Sequence, residues 1–87
     1  MPGYRLLVAD QTGEPRENRF ASNGRAEDWA RRQLAAMGYH AESIVFGEWE
    51  ASAGDGQRER KWVWASAEDA SEDAGGHKSI ASLELEF

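Results

Sequence analysis

One stretch of this chain, residues 22–38, carries the full punctuation of an α-helix, and no other stretch matches it. Ser22-Asn23-Gly24 supplies cap candidates whose side-chain oxygens can accept the first unbonded amides. Glu27 and Asp28 read as first-turn carboxylates, where the helix dipole favours negative charge. Ala26, Trp29, Ala30, Gln33, Leu34 and Met37 then recur at helical spacing and, Gln33 apart, make one apolar stripe. Arg31 and Arg32 fall off that stripe, toward the end that favours cations. Gly38 can adopt the left-handed conformation that stops a helix, and Tyr39 can fold back on Leu34. A single helix has one stripe to bury, so strands must supply the other side of the core.

Strand-like alternation is present on both sides of the helix. Tyr4, Leu6 and Val8 alternate with Arg5, Leu7 and Ala9, so that both faces are partly apolar. Residues 10–15 are rich in turn formers and close that strand, and residues 16–21, dense in charge, suit an edge strand. Residues 43–51 read as a strand with Ile44 and Phe46 on one face and Val45 and Trp49 on the other. After a loop at 52–57, residues 58–67 read as its antiparallel partner, with Trp62 and Trp64 together on one face and Val63 and Ala65 on the other. Residues 68–78 are acidic, interrupted by Gly75-Gly76, and read as a loop with room for one helical turn. Ala81, Leu83, Leu85 and Phe87 alternate with Ser82, Glu84 and Glu86, which predicts a half-buried terminal strand with one solvated face. The order β-β-α-β-β-β predicts an α+β fold: an antiparallel sheet of four to five strands with one helix packed on one face. At 87 residues the chain is expected to form a single domain over 1–87.

Charge divides the chain. Its net charge is −6, but residues 1–39 carry six Arg against five carboxylates, and residues 40–87 carry four Arg and Lys against eleven. An acidic half of this kind attracts basic partners and repels nucleic acid and anionic membranes. The apolar run from Leu6 to Ala9 is too short for a signal-peptide core or a membrane span, so a cytoplasmic protein without membrane contact is expected.

Several chemistries lack their residues. The chain has no Cys, which removes disulfides, thiolate zinc sites and cysteine nucleophiles together. His40 and His77 stand alone, and Asp73 and His77 could share a metal only on a helix that Gly75-Gly76 interrupts. The carboxylates at 68–73 lack the spacing of a calcium loop. There is no nucleophile elbow, P-loop or dinucleotide fingerprint. No enzyme, no cofactor and no metal is therefore expected.

Two features point to binding. The hairpin of 43–51 and 58–67 has large residues on both faces, and one helix covers only one face of a sheet. Some of Phe46, Trp49, Trp62, Val63 and Trp64 should therefore remain on the open face, where exposed aromatics mark interaction sites. The second half also concentrates carboxylates at Glu48, Glu50, Glu68, Asp69, Glu72, Asp73, Glu84 and Glu86. The partner-binding set expected is Glu48, Trp49, Glu50, Trp62, Trp64, Glu68, Asp69, Glu72 and Asp73, facing a protein with a basic surface. In size, acidity and element order the chain is similar to small phage-encoded inhibitors such as the anti-CRISPR proteins. That resemblance implies occupation of a nucleic-acid-binding site by a carboxylate-rich surface, and carries no individual residue across. Two alternatives stand beside it. One is a homodimer that buries a tryptophan-rich sheet face. The other is a single-stranded nucleic-acid module built on Arg58, Arg60 and Lys61 among Trp62 and Trp64, which three cations in an acidic half disfavour.

Overall fold

The last strand in sequence forms the middle of the sheet. The computed structural model describes residues 2–9, 15–51, 58–73, 75 and 77–86, except for the side chain of Arg58. In chain order the elements are β1 (Gly3–Val8), β2 (Arg16–Arg19), α1 (Asn23–Ala36), a 3-10 turn (Ala41–Ser43), β3 (Val45–Phe46), β4 (Glu50–Ala51), β5 (Arg58–Trp64), α2 (Ala67–Glu72) and β6 (Ala81–Glu86). The strands lie in the order β2-β1-β6-β5-β3, with β4 continuing the β3 edge along β5, and every pairing is antiparallel. The α+β sheet with one main helix against it is the architecture the periodicities called for.

The helix forms where its punctuation lies. Ser22 Oγ accepts from the Arg25 N–H at 3.3 Å. At the other end Gly38 has φ +107°, its N–H donates to Ala35 O and the Tyr39 N–H donates to Leu34 O, the paired bonds of a Schellman stop. The helix begins at Asn23, so Glu27 and Asp28 stand a turn later than expected and no acidic residue occupies the first turn. Nor is the last turn basic: Arg31 reaches over Phe46, 5.0 Å from the ring centre, and donates to Ala41 O and Ile44 O, tying the helix to the segment that follows.

Cross-strand partners share a face. Tyr4 opposes Leu85, Leu6 opposes Leu83, and Val8 opposes Ala81, which in turn opposes Val63. These side chains meet Ala26, Ala30 and Leu34 of α1 in one core, with Trp29, Met37 and Phe46 partly buried around it. Polar groups close its rim. The Tyr4 hydroxyl donates to Asn23 Oδ1 at 2.6 Å, and Arg16 donates to Gln33 Oε1 at 2.8 Å.

Two strand readings need correction. The expected strand over 43–51 is broken, and its register slips: Phe46 opposes Val63, whereas Glu50 opposes Arg60, so three residues on the edge answer two on β5. That one-residue bulge turns Trp49 to the helix side, away from Val45, and leaves Glu50 on the open face. The expected solvated face of β6 is reduced to Glu86. Ser82 and Glu84 are both buried, because β6 lies between β1 and β5 and neighbouring side chains close over it. Phe87 and the loops expected at 10–14 and 52–57 lie outside the described residues.

Candidate functional site

Strand β5 distributes the chemistry of the second half by simple alternation. Lys61 and Val63 point toward α1, while Arg60, Trp62 and Trp64 point to the open face. The basic residues seen together in the sequence are thereby separated. Lys61 is buried, with its ammonium 3.2 Å from Glu27 Oε1 and 4.4 Å from the centre of the Trp49 ring. Arg60 stays on the other side, 3.4 Å from Glu84 Oε1 and 5.3 Å from the Trp62 ring centre. Sequence reasoning missed the Lys61–Glu27 pair; its only signal was the odd-even position of Lys61 relative to Trp62.

The open face is built on a row of charges. Glu17, Arg5, Glu84, Arg60 and Glu50 oppose one another successively across β2, β1, β6, β5 and β4. Arg5 holds Glu17 at 2.8 Å and Arg60 holds Glu84, so the row largely satisfies itself. Over β2, β1 and β6 it lines a concavity of about 350 Å³, walled by Arg5, Arg19, Glu17, Glu84 and Glu86. The adjacent row is apolar, with Leu7 and Trp62 on either side of Ser82 around a shallower hollow of about 290 Å³. Trp62 is half-buried, and its indole N–H donates to Glu50 Oε1 at 3.1 Å.

Trp64 lies on the same face yet is buried, because α2 follows it and packs against β5. Ser66 Oγ caps α2 by accepting from the Asp69 N–H. Asp73, at the far end, accepts from the Trp64 indole N–H at 2.7 Å, from the Lys78 N–H at 2.8 Å, and from the Gly75 and His77 N–H groups at 3.0 Å. Burial pushes its carboxyl up, but those four donors outweigh burial and hold it well below the usual carboxylate range. Lys78 reaches Glu72 at 2.5 Å, and that bond raises the ammonium above its ordinary value. Below the ring, Gly47 comes so close that a Cβ there would lie 2.8 Å from Trp64 Cζ3.

The expected partner-binding residues thus divide. Glu50, Trp62 and Trp64 share the open face, and Glu68, Asp69, Glu72 and Asp73 follow on α2 and its cap. Glu48 lies in the bulge, exposed, and Trp49 is turned to the helix side against Tyr4, 6.4 Å between ring centres. Phe46 and Val63 also face α1. Of the rings expected to be left over, Trp62 is the one on the open face without α2 above it. Asp73 is a fastening residue rather than a free surface carboxylate.

His40 and His77 are exposed, and among the described residues no three His, Asp or Glu side chains gather as a metal ion would require. No helix among the described residues is long and apolar enough to cross a membrane. Compared with family models, with curated proteins and with solved structures, the chain matches none.

Proposed function

We infer that the chain is a non-enzymatic binding protein. It presents Trp62, with the carboxylates of Glu50, Glu68, Asp69 and Glu72, to a basic surface of a partner protein, one that otherwise holds nucleic acid. Trp62 carries the reading. It is a large ring on the open face, flanked by Leu7, already oriented by Glu50 and followed along the strand by an acidic helix whose Glu72 pairs with Lys78. An aromatic anchor beside a carboxylate-rich helix combines a desolvating contact with electrostatic selection of a Lys- or Arg-rich surface. Inhibition by occupying such a site follows, and a partner of that class implies a cytoplasmic setting.

The alternatives have less in their favour. A stacked homodimer would find a reduced apolar face, since Trp49, Phe46 and Val63 face α1 and the charged row is already paired. A nucleic-acid module would need free cations, but Lys61 lies beneath α1 with Glu27 and Arg60 is held by Glu84. The test is a titration of the labelled full chain with an Arg/Lys-rich peptide, followed by NMR. The reading expects shifts at the Trp62 indole N–H and the α2 amides, weakening as salt rises. Shifts confined to carboxylates on the helix side would overturn it.

A further inference from the structure

We propose that α2 is a detachable cover, which lifts off the sheet as a unit while the rest of the fold stays intact, and so brings the ring of Trp64 out beside that of Trp62. The proposal uses no partner and stands apart from the functional reading above.

Three observations carry it. First, α2 is weakly held by its own sequence. It has six residues, none of them buried, far short of the length at which an isolated helix persists. Glu68 and Glu72 stand one helical turn apart, a like-charge spacing that works against the helix. Second, its hydrogen bonds and ion pair are gathered at the ends. Ser66 caps the start, while Asp73 and the Glu72–Lys78 pair fasten the finish. In the core, by contrast, Leu6, Leu34, Val63 and Leu83 are fully buried. Third, the cover contributes to the burial of Trp64: α2 packs on β5 and Asp73 at its end bonds the Trp64 indole, while Gly47 meets the ring from the neighbouring strand segment. Trp62, two residues earlier on the same face of the same strand, is only half-buried. Lifting α2 breaks the bonds to Asp73 and leaves every sheet pairing in place, so it is a local opening and not unfolding. The two indoles then form an apolar strip that the closed form lacks.

Native-state hydrogen exchange on the full chain tests this. In the wild type, the Ala70 amide, the Gly75, His77 and Lys78 amides and the Trp64 indole N–H should exchange together. They should do so faster than the Leu6 and Leu83 amides, with little dependence on urea, as openings that expose little surface do. Asp73→Asn, which weakens the fastening while keeping its shape, should speed this set roughly tenfold or more and leave the Leu6 and Leu83 amides unchanged. Exchange of Trp64 and α2 at the rate and urea dependence of Leu83 would overturn the proposal. The wild-type measurement decides it even if the variant folds poorly.

Discussion

Replacing Glu27 with Gln should be among the most damaging single polar changes in this protein, although Glu27 is partly exposed. The residue it serves is Lys61, 6% exposed, on the helix-facing side of β5. Removing one member of a buried ion pair typically costs about 3–5 kcal/mol, because the remaining charge is left in a poor dielectric. Two features lower that here. Glu27 keeps 27% of its side chain exposed, so water can reach the vacated position, and the Trp49 ring 4.4 Å from the ammonium supplies a cation–π contact. The net expectation is a loss of about 2–3 kcal/mol for Glu27→Gln. In a domain of 87 residues this lowers the melting temperature by roughly 10–20 °C. Lys61→Met, which keeps the aliphatic stem packed and removes the charge, should cost less than about 1 kcal/mol, and the double variant should recover most of the Glu27→Gln loss. Urea unfolding of the four proteins at pH 7 measures the cycle. If Glu27→Gln melts with the wild type while Lys61→Met is the damaging change, Lys61 acts through its stem and the pairing argument fails.

Gly47→Ala would set a Cβ 2.8 Å from the Trp64 ring and should cost about 1–3 kcal/mol, with a shifted Trp64 emission; an unchanged urea midpoint would show that the ring moves freely. Gly38→Ala, at φ +107°, should cost about 1 kcal/mol by urea unfolding, and a neutral result would place the helix stop elsewhere. Trp29 is half-buried against Phe20, 5.5 Å between ring centres, so Trp29→Ala should cost about 2–3 kcal/mol rather than the 3–5 of a fully enclosed ring. For Asp73 the sign follows from its depressed folded pKa: its stabilisation is complete above the ordinary carboxylate value of about 4 and is lost as pH falls below it. The stability gap between wild type and Asp73→Asn should therefore be widest near neutral pH and close on acidification, and a gap independent of pH would remove the carboxylate from that role.

What the chain reveals in advance follows from how local each determinant is. Ser22 and Gly38 bracket α1 through bonds to residues within one turn, so the helix is legible from its own letters. The alternation of Lys61, Trp62, Val63 and Trp64 likewise fixes which of them share a face. Alternation places Trp49 on the wrong face because its side is set by a bulge against β5, and a register slip leaves no trace in period-two spacing. Glu84 and Ser82 read as solvated because alternation records which way a side chain points. It does not record that β6 would be inserted between β1 and β5. Asp73 read as one more carboxylate in an acidic run; its four donors come together only once β5, α2 and residues 75–78 have met.

The proposed function requires that a particular place on the molecule, and not its total charge, select a basic partner. The most direct measurement compares Arg/Lys-rich peptide affinity for Glu68→Gln/Asp69→Asn with that for Asp28→Asn/Glu42→Gln, two pairs that remove equal charge from opposite regions, alongside Trp62→Ala. Weaker binding is expected for the first pair and for Trp62→Ala, and near wild-type binding for the second pair. Equal losses from both pairs, with Trp62→Ala binding as tightly as wild type, would contradict the proposed function.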